Sequence, residues 1–86
     1  MSKRKLKRKG RIVRENDRYI LINEMDEKFQ VNDFIAYVWL KSEGLSVDEL
    51  TDLIIDVIGR EDLNKDLIKR DVYVVVEKLM EMGLIE

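Results

Sequence analysis

The residues of this sequence that could do chemistry are carboxylates and a few hydroxyls, because its 86 residues include neither cysteine nor histidine. Thiolate nucleophiles, disulfides, histidine general bases and nearly all zinc and transition-metal sites depend on one of those two residue types. The serine and threonine hydroxyls are those of Ser2, Ser42, Ser46 and Thr51. None of them has a plausible general base near it in the sequence, so we do not expect nucleophilic catalysis.

The 18 aspartates and glutamates are spread over residues 15–86, and carboxylates on helix faces are usually solvated surface. A chain of this length builds a single small core that stabilises the fold by about 3 to 5 kcal/mol, which leaves little room for a deep catalytic pocket. We therefore expect no enzyme activity, no metal and no cofactor. A small binding module is the better expectation.

Charge is distributed very unevenly along the chain. The first 14 residues carry eight of the 16 basic residues and no acid, so the rest of the chain carries eight bases and all 18 acids. We expect residues 1–10 to form a basic, disordered arm and residues 11–86 to form an acidic domain. The arm could bind nucleic acid or an acidic partner. The basic residues that could make this contact are those of the arm and Arg11, which follows it. They are Lys3, Arg4, Lys5, Lys7, Arg8, Lys9 and Arg11.

The sequence shows no membrane-spanning or secretory signal. No apolar run approaches the ~20 residues of a membrane span, and no apolar stretch follows the basic N-terminus. We therefore expect a cytoplasmic protein without membrane contact. The high charge, at 40% of residues, and the lack of cysteine would also suit a thermophilic source.

Three short segments predict β-strands. Residues 11–14 and 18–23 are rich in β-branched residues, and residues 28–31 alternate polar with apolar, which indicates a strand with one buried face. The polar segments 15–17 and 24–27 favour turns between them. We expect a three-stranded antiparallel meander, or a hairpin with a weak third strand.

Two helices are expected after the strands. Asn32 could cap a first helix over residues 34–40, and Gly44 could end it. Ser46 and Glu49 have the spacing of a capping box, in which each side chain bonds the other residue's backbone amide. Apolar residues then recur at helical spacing until Gly59. They are Leu50, Leu53, Ile54, Val57 and Ile58.

A third helix is predicted over residues 65–82, with Gly83 ending it. Its core stripe is Ile68, Val72, Val75, Leu79 and Met82. Another strip, partly apolar, lies beside this stripe and consists of Lys69, Tyr73, Val76 and Met80. This strip either covers the sheet or is open to a partner. Three strands followed by three helices predict the α+β class.

Three segments in this order resemble PqqD-like proteins, the family of pyrroloquinoline quinone biosynthesis chaperones. One resembles the family's LN, A, IW and DG stretch and consists of Val31-Asn32-Asp33, Ala36, Val38-Trp39 and Glu43-Gly44. Another is similar to the S/T-V-x-E-L/I helix start and is Ser46-Val47-Asp48-Glu49-Leu50. The last is similar to the DV…FL…L…GLL ending and consists of Asp71-Val72, Glu77-Lys78-Leu79 and Gly83-Leu84-Ile85-Glu86. The basic arm and Ile35, at a position where the family often has a small residue, depart from the pattern.

The resemblance implies a winged-helix-like domain with a three-stranded sheet and a three-helix bundle. Such a domain binds the leader of a ribosomally made precursor peptide and presents it to a modifying enzyme, often of the radical SAM class. In that family the leader adds to the third strand and lies against the third helix. Carried over by position, the peptide-binding residues would be Lys28, Phe29, Gln30, Val31, Lys69, Tyr73, Val76 and Met80.

Two other functions stay open from the sequence. A winged-helix DNA-binding protein or small transcriptional regulator could use the basic arm, although the second helix exposes only acids, which phosphates would repel. Those acids are Asp48, Glu49, Asp52 and Asp56. The strip on the third helix could instead form a dimer seam, so the chain is expected to be a monomer or a weak dimer.

Overall fold

The computed structural model describes residues 4–58 and 64–86. Three strands precede three helices within these ranges, so the predicted α+β class and element order are confirmed. The elements are β1 (Arg11–Glu15), β2 (Arg18–Ile22), β3 (Lys28–Val31), α1 (Asp33–Lys41), α2 (Val47–Ile58) and α3 (Lys65–Glu81). No helix in the described ranges is long and apolar enough to cross a membrane.

The strands form one antiparallel sheet in the order β1-β2-β3. Asn16 and Asp17 connect β1 to β2 with positive φ angles of 49° and 64°. Two successive residues in this conformation form the type I′ turn, whose twist matches that of a hairpin. Asn and Asp adopt it more easily than other side chains. The turn predicted at 15–17 is therefore confirmed, and Glu15 pairs with Arg18 across it.

One face of the sheet packs against the helices to form the core. Leu21 lies at the centre of this face and is fully buried, with Val31 beside it at 8% exposure. The helices contribute most of the other buried residues, which include Val38, Trp39, Leu50, Ile54, Val72, Val75 and Leu79. Burying each large apolar side chain stabilises the fold by about 1.5 to 3 kcal/mol relative to exposure. The core stripe predicted on α3 is confirmed, with Ile68 and Met82 partly buried at its margin.

The predicted helix starts are also confirmed. The Asn32 side chain accepts a hydrogen bond of 2.8 Å from the Ile35 amide. In the capping box, the Glu49 amide donates to Ser46 Oγ at 3.2 Å and the Ser46 amide donates to Glu49 Oε1 at 3.0 Å. The end predicted at Gly59 lies outside the described residues. Val57 is 61% exposed, so the apolar stripe expected on α2 is not buried at its C-terminal end.

The basic N-terminal segment is not a disordered arm over residues 4–10, so that expectation was wrong there. Leu6 is only 3% exposed and belongs to the core. Its amide donates to the Leu45 carbonyl oxygen at 2.7 Å, and Lys7 and Glu86 exchange two backbone hydrogen bonds. Burial of Leu6 and backbone hydrogen bonds to the C-terminal residues therefore order this segment. We call residues 4–9 the N-terminal strap.

Candidate functional site

The outer edge of β3 is open, because β2 is its only partner strand in the described part of the chain. The direction of its backbone groups follows from the β1-β2 hairpin. Glu15 and Arg18 flank a two-residue turn, so they exchange main-chain hydrogen bonds, and the bonding direction then alternates along each strand. Residues 18, 20 and 22 of β2 therefore bond β1, and residues 19 and 21 bond β3.

This alternation decides which residues of β3 can bond another chain. Val31 lies opposite Tyr19 and Phe29 lies opposite Leu21, so their backbone groups bond β2. The hydrogen bond of 3.1 Å from the Asn23 amide to the Glu27 carbonyl oxygen fits the same alternation. The amides and carbonyls of the other two residues consequently point away from the sheet. We call these residues, Lys28 and Gln30, the open β3 edge.

The side chains of β3 alternate between the two faces of the sheet. Val31 and the half-buried Phe29 pack towards the core. Lys28 and Gln30 are exposed on the opposite face, where Arg18 Nη1 donates to Gln30 Oε1 at 3.4 Å. Of the four strand residues predicted as peptide contacts, these two therefore combine accessible side chains with outward backbone groups.

Asn23 positions the start of β3, and the sequence reasoning missed it. Its side chain is 5% exposed, and Nδ2 donates to the Met82 carbonyl oxygen at 2.7 Å and to Glu27 Oε1 at 2.9 Å. Its Oδ1 accepts from the amides of Met25 at 2.9 Å and Glu27 at 3.0 Å. Asn23 thereby joins the β2-β3 turn to the end of α3. The only sequence signal was an Asn after an apolar strand, which is also an ordinary turn residue.

The strip predicted on α3 does not act as one surface. Val76 is 2% exposed and belongs to the core, and Met80 is partly buried against it. Lys69 and Tyr73 are exposed, but they line a groove with Arg4 and residues 46–48 rather than with β3. Lys69 Nζ is also 2.6 Å from the Asp48 carboxylate. The structure therefore places Lys69 and Tyr73 beside the start of α2 and the strap, away from the expected position along the strand.

A different groove adjoins the end of β3. It passes between the β1-β2 turn and the start of α1 and is lined by Asp17, Arg18, Tyr19, Gln30, Val31, Asn32, Asp33 and Phe34. Phe34 is 37% exposed and is the large apolar side chain among them that faces solvent most. A segment bound along the open β3 edge would reach this groove at one end.

The cations of the strap and of Arg11 lie close to the domain's own acids. Lys9 Nζ is 3.3 Å from Glu86 and 3.4 Å from Glu24, and both carboxylates raise the pKa of Lys9. Arg11 is 3.9 Å from Asp26. Arg8 lies over the Trp39 ring, 5.0 Å from its centroid. Lys3 lies outside the described residues, and Arg4 and Lys7 are exposed.

Glu49 has an altered pKa because it joins the strap to α2. Its carboxylate accepts hydrogen bonds from the Lys5 ammonium and from the Ser46 amide, and these lower the pKa of Glu49 to about 2. The first bond reaches across from the strap, and the second closes the capping box. This carboxylate therefore has a structural role at the start of α2.

Among residues 4–58 and 64–86, no group of three or more acidic residues is placed to hold a metal ion. Comparison of the chain with protein-family models, with curated protein sequences and with solved structures gives no match. The similarity to PqqD-like proteins rests on the three segments quoted above alone.

Proposed function

We propose that this chain is a non-catalytic peptide-recognition domain that binds an extended peptide as a fourth strand along the open β3 edge. By resemblance to PqqD-like proteins, the peptide is the leader of a ribosomally made precursor, and the domain presents it to a modifying enzyme of the radical SAM class or another class. The domain needs no cofactor for this role and acts in the cytoplasm. The observation that carries the proposal is the unpaired backbone of Lys28 and Gln30.

Strand addition explains how such a domain can hold a peptide. A strand bound along this edge can exchange about four main-chain hydrogen bonds with Lys28 and Gln30, each contributing about 1 kcal/mol net. These bonds do not depend on the peptide's sequence. Affinity is expected to be moderate, because a disordered leader loses conformational entropy when it binds.

Selectivity must come from side chains beside the edge. The exposed ammonium of Lys28 favours an acidic peptide residue next to it. Phe34, in the groove at the end of β3, favours an apolar residue of the peptide. A peptide with an acidic and an apolar residue a few positions apart would satisfy both contacts. Lys69 and Tyr73 are not needed for this mode of binding.

A proline substitution tests the proposal. Peptides selected from a phage-displayed random library on the full chain would be titrated into wild type and Gln30→Pro by isothermal calorimetry. Proline removes the outward amide of Gln30 without removing a bond to β2, and edge strands tolerate it. We expect Kd to rise at least about tenfold. Arg14→Pro is the matched control at the other edge of the sheet and should leave Kd unchanged.

Two results would overturn the proposal. One is that no library peptide binds the wild-type chain. The other is that the selected peptides bind Gln30→Pro as tightly as wild type, because the open β3 edge would then not hold them.

Nucleic-acid binding through the basic segment is the alternative. Lys5, Lys9 and Arg11 each lie within ion-pair distance of a carboxylate of the domain, which reduces the positive charge that phosphates would meet. Fluorescence anisotropy with a labelled DNA duplex and a labelled RNA distinguishes the two functions. A salt-dependent shift that requires the basic segment would favour the alternative, and no shift near physiological salt is expected from our proposal.

A further inference from the structure

The outer edge of β1 is open in the same way as that of β3. Its only partner strand in the part of the chain that the structure describes is β2, with Val13 opposite Ile20 and Glu15 opposite Arg18. These residues bond β2, so the alternation points the amides and carbonyls of Ile12 and Arg14 away from the sheet. An open edge of this kind is a template for another strand.

The charges along β1 match those of a second β1 running in the opposite direction. The strand reads Arg-Ile-Val-Arg-Glu, with a basic residue at its start and an acidic residue at its end. We propose that β1 pairs with β1 of a second copy of this chain across a two-fold axis. The strand bound at this edge is thus β1 of the second copy, because the charges of β1 are complementary to those of an antiparallel β1.

Three registers would bring outward-facing residues opposite each other. Pairing Arg14 with Arg14 of the second copy sets two like charges directly opposite, which is unfavourable. Pairing Ile12 with Ile12 places Arg11 opposite Val13 and creates no charge pair. Pairing Ile12 with Arg14 places Arg11 opposite Glu15 of the second copy, and symmetry repeats this contact. Charge therefore selects the third register, which is centred on Val13.

The third register also suits the hydrogen-bonded and the non-hydrogen-bonded positions of an antiparallel strand pair. Ile12 and Arg14 of the second copy exchange both backbone hydrogen bonds, and symmetry doubles them. Arg11 and Glu15 then occupy the non-hydrogen-bonded positions, where opposite side chains come closest. Both side chains are exposed in the single chain, so neither must leave the core to meet its partner.

An apolar groove beside β1 supports a partner at this edge. The groove has a volume of about 270 Å³ and is lined by Ile12, Tyr19, Asp33, Ala36, Tyr37 and Leu40. Leu40 is 45% exposed. Arg14 points to the same face of the sheet as Ile12, with its guanidinium 5.7 Å from the Tyr19 ring centroid. The second copy's Ile12 and Arg14 would therefore project towards this groove, where Asp33 offers the arginine an opposite charge.

The dimer would contain one six-stranded sheet with β1 and its copy at the centre. Each copy would keep its own open β3 edge at an outer end. Self-association through β1 therefore goes beyond the proposed peptide binding and does not compete with it, and either can fail without the other.

Sedimentation equilibrium of the full chain at low salt, from about 10 µM to about 1 mM, tests the dimer, because small interfaces give dissociation constants in this range. Arg11→Glu sets two pairs of like charges across the axis and should weaken the dimer at least about tenfold, as should Glu15→Arg. The double variant Arg11→Glu with Glu15→Arg restores both pairs and should return Kd to within about threefold of wild type. Circular dichroism establishes that each variant is folded.

Backbone variants complete the test. Arg14→Pro removes an outward amide at the β1 edge and should abolish the dimer, whereas Gln30→Pro, its match at the β3 edge, should not. A chain that stays monomeric over the whole range would overturn the inference. So would a dimer that is unaffected by Arg14→Pro, or a double charge reversal that fails to restore the affinity lost in the single variants.

Discussion

The indole Nε1–H of Trp39 donates a buried hydrogen bond of 2.9 Å to the carbonyl oxygen of Leu84. The same N–H lies 3.2 Å from the Lys9 carbonyl oxygen, and the Lys9 amide donates to the Leu84 carbonyl oxygen at 2.8 Å. The Trp39 side chain, on α1, thus joins the N-terminal strap to the C-terminal residues. Trp39 is also the only tryptophan, so its fluorescence reports directly on this junction.

The strap should be essential for stability. Leu6→Ala removes a core side chain that is 3% exposed and should lower the free energy of unfolding by about 2 to 4 kcal/mol. Urea denaturation followed by Trp39 fluorescence measures this change. Lys7→Ala, next to it on the exposed side, is the control and should change the free energy by less than about 0.5 kcal/mol. Equal stability of the two variants would contradict the packing of Leu6.

Asn23 should be the polar residue on which the β2-β3 turn depends. Asn23→Ala removes the donor to the Met82 carbonyl oxygen and the acceptor of two turn amides. Loss of bonds at such a buried site should cost about 2 to 3 kcal/mol in thermal or urea unfolding. Met25→Ala, in the same turn and 81% exposed, should have almost no effect. A small effect of Asn23→Ala would mean that water replaces its bonds.

Glu49 should titrate near pH 2 in the folded chain, which carboxyl-detected NMR can measure. Its folded pKa is about 2 and its ordinary value is 4.5, so the stabilisation is present above about pH 4.5 and is lost as the pH falls towards 2. Lys5→Met removes the largest cause and should raise the pKa of Glu49. Glu49→Gln can keep the capping box and should reduce the loss of stability over this pH range. A wild-type pKa near 4.5 would refute the contact with Lys5.

Tyr73 and Met80 should differ in their effects on stability. Tyr73 is 52% exposed, so Tyr73→Ala should cost less than about 1 kcal/mol. Met80 packs against the core, and Met80→Ala should cost about 1 to 3 kcal/mol. Neither substitution should weaken a peptide bound at the open β3 edge. If Tyr73→Ala alone abolishes peptide binding, the groove beside Tyr73 is the binding site instead.

Local residue patterns are sufficient to predict most elements of this fold. The capping box of Ser46 and Glu49, the Asn32 cap and the polar turn before Arg18 each depend on residues only a few positions apart. The stripe of α3 depends on helical periodicity alone. Such signals act within one element, so they can be recognised without knowing what the element packs against. The position of β3 was predicted for the same reason.

The candidate site depended on contacts between distant parts of the chain, which no local pattern encodes. Helical geometry placed Lys69, Tyr73, Val76 and Met80 on one strip, but packing buried Val76 and turned Lys69 and Tyr73 towards the strap. The strap looked like a solvated charge run, because its backbone partners are distant in sequence. Those of Leu6 are Gly44 and Leu45, between α1 and α2, and those of Lys7 and Lys9 lie after α3. Side-chain burial and the two open edges are properties of the assembled sheet and helices, so only the folded chain could decide them.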